Sequence, residues 1–101
     1  MSSKTVTLNV NGSDVPLSFF VQTYFDRVLD GIAGALESTC IVETLKLEAT
    51  ANAFTLTIND TPINMNEFVG NIIRKTAEGM IGSLRGITEI KTFTIGIGRG
   101  K

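Results

Sequence analysis

The chain of 101 residues contains one cysteine, Cys40, and no histidine. A thiol acts as a nucleophile when a basic or imidazole neighbour stabilises its thiolate, and a serine needs a base to take its proton. Without histidine, neither Cys40 nor any hydroxyl has the usual base, so nucleophilic catalysis is not expected. Acid–base work by paired carboxylates would fall to Asp26, Asp30, Glu37, Glu43 and Glu48 or the residues equivalent to them, and their spacing is that of solvated faces. One cysteine and scattered carboxylates also leave no metal-ligand spacing, and no cofactor is expected. The sequence Gly96-Ile97-Gly98-Arg99-Gly100-Lys101 has the look of a phosphate cradle. The G-x-x-x-x-G-K spacing requires glycine at position 95, which is isoleucine, and a helix after the lysine. Residues 98–101 therefore read as a flexible basic tail.

The function classes narrow further on bulk properties. A formal net charge of -1 lacks the basic excess of a phosphate-neutralising protein, which argues against a nucleic-acid partner. No apolar run approaches the ~20 residues that span a bilayer, and Met1-Ser2-Ser3-Lys4 leads directly into strand-like alternation rather than a secretory signal. With a lone cysteine and no membrane segment, the expected setting is the cytoplasm. A composition of 43% hydrophobic and 19% charged residues suits one folded domain.

The elements that would position any site come in two copies. Shifted by 48 residues, positions 6–47 align without a gap on positions 54–95, and nine of the 42 pairs are identical. Unrelated positions would match at about 6%. The identities include Asn11 with Asn59, Phe20 with Phe68, Gly31 with Gly79, Gly34 with Gly82 and Leu36 with Leu84. The chain is read as a tandem duplication with repeats at about 5–48 and 53–97.

Each repeat opens on period-two alternation, Val6/Leu8/Val10 and Phe54/Leu56/Ile58 facing inward, as in strands buried on one side. Asn11-Gly12 and Asn59-Asp60 tolerate left-handed backbone, and Val15/Leu17 and Ile63/Met65 follow, so a small hairpin extension would turn βαβ into ββαβ. Ser18 and Asn66 are suited to cap a helix. Apolar rows then recur at helical spacing: Phe20, Tyr24, Val28, Ile32, Leu36 and Phe68, Ile72, Thr76, Met80, Leu84 are expected to cover the sheet. Val21, Phe25, Leu29 and Val69, Ile73, Ala77, Ile81 widen the stripe, while Asp26, Arg27, Asp30 and Arg74, Lys75, Glu78 mark the wet side. The second helix is expected to stop at Gly86, with Ile87 making the contact that accompanies a glycine C-cap. Closing strands are expected over 42–48 and 90–97. The fold class is α+β: a duplicated βαβ or ββαβ unit forming a ferredoxin-like sandwich, with two antiparallel helices on one face of an antiparallel sheet.

Two features invite a functional reading. Gly31, Gly34, Gly79 and Gly82 sit at matching points of both helices, where each costs about 1 kcal/mol relative to alanine. Close helix approach, within the chain or across an oligomer, is the preferred explanation, with a groove left open for a ligand as the alternative. Antiparallel helices meeting there would bring Asp26 toward Arg85 and Glu37 toward Arg74. The second feature is the outer sheet face, where Thr7, Thr44, Thr55, Thr57, Thr92 and Thr94 are joined by few charges. Threonine suits any exposed strand, but an uncharged β-branched face is also cheap to desolvate against another copy. The face carries no aromatic platform for stacking bases.

The segment from Ile58-Asn59-Asp60 through Phe68-Val69 to Gly79-Met80-Ile81-Gly82-Ser83-Leu84-Arg85-Gly86-Ile87 resembles a group of small uncharacterised prokaryotic domain proteins. These carry a strand with N-G, an F-V helix start and a G-M-x-x-S-L-K-G-V helix end, and the resemblance implies no activity. The first repeat departs from it, with Glu37-Ser38-Thr39 at the helix end. The functional expectation is a non-enzymatic, self-associating protein-interaction domain, a homodimer or the partner of another protein. The alternative is a small-molecule-sensing module of ferredoxin-like type.

Overall fold

The computed structural model describes residues 4–36, 42–84, 86–87 and 89–99. It is an α+β structure in the order β1 (Lys4–Val10), β2 (Ser13–Asp14), α1 (Phe19–Leu36), β3 (Thr44–Ala49), β4 (Phe54–Ile58), β5 (Thr61–Pro62), α2 (Glu67–Gly82) and β6 (Phe93–Arg99). The strands form one antiparallel sheet in the order β2-β1-β6-β3-β4-β5. β1 and β3, joined through α1, run parallel with β6 between them, and β4 and β6, joined through α2, run parallel with β3 between them. Each half of the chain thus leaves a one-strand gap that the other half fills. The strands after the helices take the centre, and the strands before them lie outside.

The turns are set by residue types that accept positive φ. Asn11 and Gly12 lie at φ 53° and 86°, and Asn59 and Asp60 at 51° and 66°. Two successive positive φ values match the right-handed twist of a hairpin, which is why the short extensions β2 and β5 form on β1 and β4. Pro62 lies in the outermost strand, where a missing N–H breaks no ladder bond.

The same two asparagines join the halves. Asn11 Oδ1 accepts the backbone N–H groups of Lys91 at 2.7 Å and Thr92 at 3.0 Å, and the Asn11 N–H donates to the Thr92 carbonyl at 2.9 Å. Asn11 Nδ2 adds a bond to the Glu89 carbonyl at 2.8 Å. Forty-eight residues on, Asn59 Oδ1 accepts from Glu43 at 2.8 Å and Thr44 at 3.0 Å, and its N–H donates to the Thr44 carbonyl at 2.9 Å. Each clasp holds the start of a central strand belonging to the other half. Other bonds recur at the same offset, including Val15 N–H to Leu8 O and Ile63 N–H to Leu56 O, both 2.9 Å.

Both helices pack on one sheet face. Val6, Leu8, Leu45, Leu47, Leu56, Ile58, Phe93, Ile95 and Ile97 meet Phe25, Leu29 and Ala33 of α1 and Ile73, Ala77 and Ile81 of α2 in a single core. This corrects the expected sheet-facing stripe, because Phe20, Tyr24, Phe68 and Ile72 are exposed. Two adjacent rows of each helix are apolar, and the sheet takes the row through Phe25 and Ile73. That rotation also buries Asp26, assigned above to the wet side, to 5% exposure with a polar partner. Both caps form: Val69 N–H donates to Asn66 Oδ1 at 2.8 Å and Val21 N–H to Ser18 Oγ at 3.3 Å. α2 stops at Gly82 rather than Gly86, with Ser83 as C-cap; Gly86, at φ 88°, turns the chain beyond it while Ile87 packs on the core. β6 extends through Arg99, paired with β1 and β3, so it takes in two residues of the expected tail.

Replacing Asn11 or Asn59 with alanine removes the acceptor for two N–H groups and puts alanine, which lacks asparagine's tolerance of left-handed backbone, at the turn. At about 1 kcal/mol for each of these losses, either variant should be destabilised by roughly 2 to 3 kcal/mol in urea unfolding. A loss below 1 kcal/mol would mean the clasps are dispensable.

Candidate functional site

The outer sheet face is open, and its composition follows from the register. Across the four long strands run the rows Thr7–Gly96–Lys46–Thr57 and Asn9–Thr94–Glu48–Thr55. Thr7, Thr44 and Thr55 are exposed, whereas Thr57, Thr92 and Thr94 are half-buried. Lys46 and Glu48 lie 3.9 Å apart and well exposed, a spacing worth little in water. Gly96 holds the middle of the face beside Thr7, whose Oγ1 lies 2.9 Å from where a β-carbon would stand.

The helix layer differs in character. Its outward positions, taken at steps of three or four, are Phe20, Tyr24, Arg27, Gly31 and Gly34 on α1 and Phe68, Ile72, Lys75, Gly79 and Gly82 on α2. Each helix carries bulk over its first half and none over its second. Phe19, Phe20, Tyr24, Phe68 and Ile72 are 80%, 73%, 50%, 69% and 49% exposed. A β-carbon built at Gly31, Gly34, Gly79 or Gly82 meets nothing within 4 Å. Among the described residues, therefore, the other helix makes no close contact at these glycines. Of the salt bridges expected with that approach, Glu37 and Arg85 lie outside the described residues, as does Cys40. Arg74 instead bonds Glu78 at 3.2 Å and the Thr50 carbonyl at 3.1 Å, and lies over the Phe54 ring.

Between the helices runs an apolar groove. At one end, Phe20, Val21 and Tyr24 face Gly79, Met80 and Leu84 across a space of about 520 Å³; at the other, Ile32, Ala35 and Leu36 face Val69 and Ile72 across about 290 Å³. These pairings place the helices antiparallel. The Phe20 and Tyr24 rings stack with centroids 6.1 Å apart, forming one wall of the larger end. A third cavity of about 400 Å³, between α2 and the β4–β5 edge, includes Arg74, Asn64 and Asn71. Its guanidinium is engaged by Glu78 and Thr50, so it offers no uncommitted cation to an anionic ligand.

Among the described residues, no three His, Cys, Asp or Glu side chains converge as a metal site would require, and no helix is long and apolar enough to cross a membrane. No family model matches the chain, and no curated protein or solved structure matches it.

The exposed aromatics escaped the sequence reading, although a signal was present: two adjacent i, i+4 apolar rows exceed what one sheet face can bury. The helical glycines, having open space above them, are predicted to gain from a side chain. Gly31→Ala and Gly79→Ala should each stabilise the monomer by about 0.5 to 1 kcal/mol. Gly96→Ala should instead destabilise, because Thr7 must move. Urea unfolding of the three variants at low protein concentration checks both signs.

Proposed function

We propose that this protein is a non-enzymatic, self-associating interaction domain that pairs through its helix layer. The observation carrying this reading is the exposure of five large apolar side chains on the helices, of which Phe20, Tyr24 and Ile72 line the apolar groove. Monomers seldom leave such a surface to water. At roughly 200 Å² for a large apolar side chain, the five offer on the order of 600 Å², close to the ~800 Å² per partner of a standard interface. A second copy suits the surface because, apart from the buried Asp26, the two helices together carry three cations, Arg27, Arg74 and Lys75, and three anions, Asp30, Glu67 and Glu78, so the layer presents no net charge to its copy. The threonine face, at first an equal candidate, offers no comparable apolar area and serves as the exposed side.

The architecture favours an origin by duplication, since hydrogen bonds, caps and groove walls recur at an offset of 48 residues. In this proposal the fold is a variant of the ferredoxin-like sandwich. It keeps the interleaved split βαβ halves but centres the strands that follow the helices. A ligand-sensing role is the second reading, and it would use the 520 Å³ groove for a small apolar molecule.

Sedimentation across a concentration series tests the proposal. The native chain should run as a dimer, and Phe20→Ser with Phe68→Ser as a folded monomer, since neither ring is buried within the chain. Thr44→Lys with Thr55→Lys should leave the dimer intact. A native chain that stays monomeric throughout sinks self-association and directs attention to an apolar ligand in the groove.

A further inference from the structure

The helix layer also specifies how two copies meet. Because α1 and α2 are antiparallel and each is bulky first and bare later, a second copy laid face to face can match bulk to bare surface in two ways. A twofold axis along the helices sets α1 over α2 of the other copy, whereas an axis across them sets each helix over its own counterpart. We infer that the axis runs across the helices, so that the Phe68 ring of one copy enters the larger end of the other copy's groove. This inference rests on the self-association proposed above.

Two observations favour that arrangement. First, Phe20 is already stacked on Tyr24, whereas Phe68 is 69% exposed and has no ring partner among the described residues. Second, the larger end of the groove presents the Phe20 and Tyr24 rings on one wall and Gly79 and Ser83 on the other, which lets an incoming ring stack on one side and approach backbone on the other. In this register α2 crosses its counterpart at Lys75 and Thr76. In the same register Ile72 sits over Gly79, and Tyr24 over Gly31. The open space above those glycines is then filled by the second copy, which offsets their cost to the helices.

Single cysteines test this register. In a Cys40→Ser background, Lys75→Cys places one thiol beside its own copy across the proposed axis, and Arg27→Cys does the same on α1. Both positions are exposed, so the fold should tolerate the changes. Mild oxidation of either variant at a concentration where sedimentation shows dimer should give a covalent dimer on a non-reducing gel. In the alternative register position 75 faces α1, and neither single cysteine cross-links. A sedimenting dimer that fails to cross-link overturns the register and leaves self-association standing, while a monomer in sedimentation overturns both. As an independent measurement, Gly79→Leu should keep the monomer folded and raise the dimer dissociation constant at least about tenfold, because its side chain occupies the place of the incoming Ile72. An unchanged dissociation constant would also overturn the register.

Discussion

Neither half of this chain can close its own sheet. The helix connection in each half carries the strand past a one-strand gap, and the backbone groups facing that gap are satisfied only by the central strand of the other half. Asn11 and Asn59 secure the exchange at its two starting points, each accepting a pair of backbone N–H groups from the opposite half. Both asparagines sit in left-handed backbone at a hairpin turn, so one residue type meets two demands at once: it tolerates the turn, and its amide reaches across. The sheet, and with it the placement of both helices, depends on this reciprocity.

The helix layer inherits its shape from the sheet beneath. A sheet with four long strands is wide enough for two helices side by side but does not press them together, and the Cα positions fill a slab of 37 × 34 × 18 Å. The core is complete with one row from each helix, Phe25/Leu29/Ala33 and Ile73/Ala77/Ile81. Apolar residues beyond that row are left lining a groove or facing solvent. The same geometry leaves the helical glycines facing open space: among the described residues, nothing outside the helix's own backbone lies within 4 Å of where their β-carbons would stand.

The two halves are not interchangeable in chemistry. Position 26 is a buried aspartate, whereas its equivalent, position 74, is an arginine spread across Phe54 and bonded to Thr50. Position 19 is an exposed phenylalanine where position 67 is a glutamate in the first turn of α2. The groove follows suit, about 520 Å³ at one end and 290 Å³ at the other. Such differences give the two ends of the helix layer separate identities.

Much of this was legible residue by residue. Strand parity, the two asparagine turns, the Ser18 and Asn66 caps and the 48-residue recurrence are local properties, set by side-chain periodicity and by which residues accept positive φ or a free N–H. The outcome at Phe20 and Phe68 was not legible, because periodicity places two apolar rows on each helix and cannot say which one the sheet will take. Nor could Asp26 be seen as buried, or Gly82 as the end of α2, since both follow from how the helix is turned on the sheet and where the chain must leave it. The order of the strands was likewise decided only by long-range pairing. Local sequence by itself determined two strand–helix–strand units with capped helices and sharp turns. Only the tertiary structure decided that each unit would be completed by the other, because the hydrogen bonds that settle the order join residues as far apart as Asn11 and Thr92.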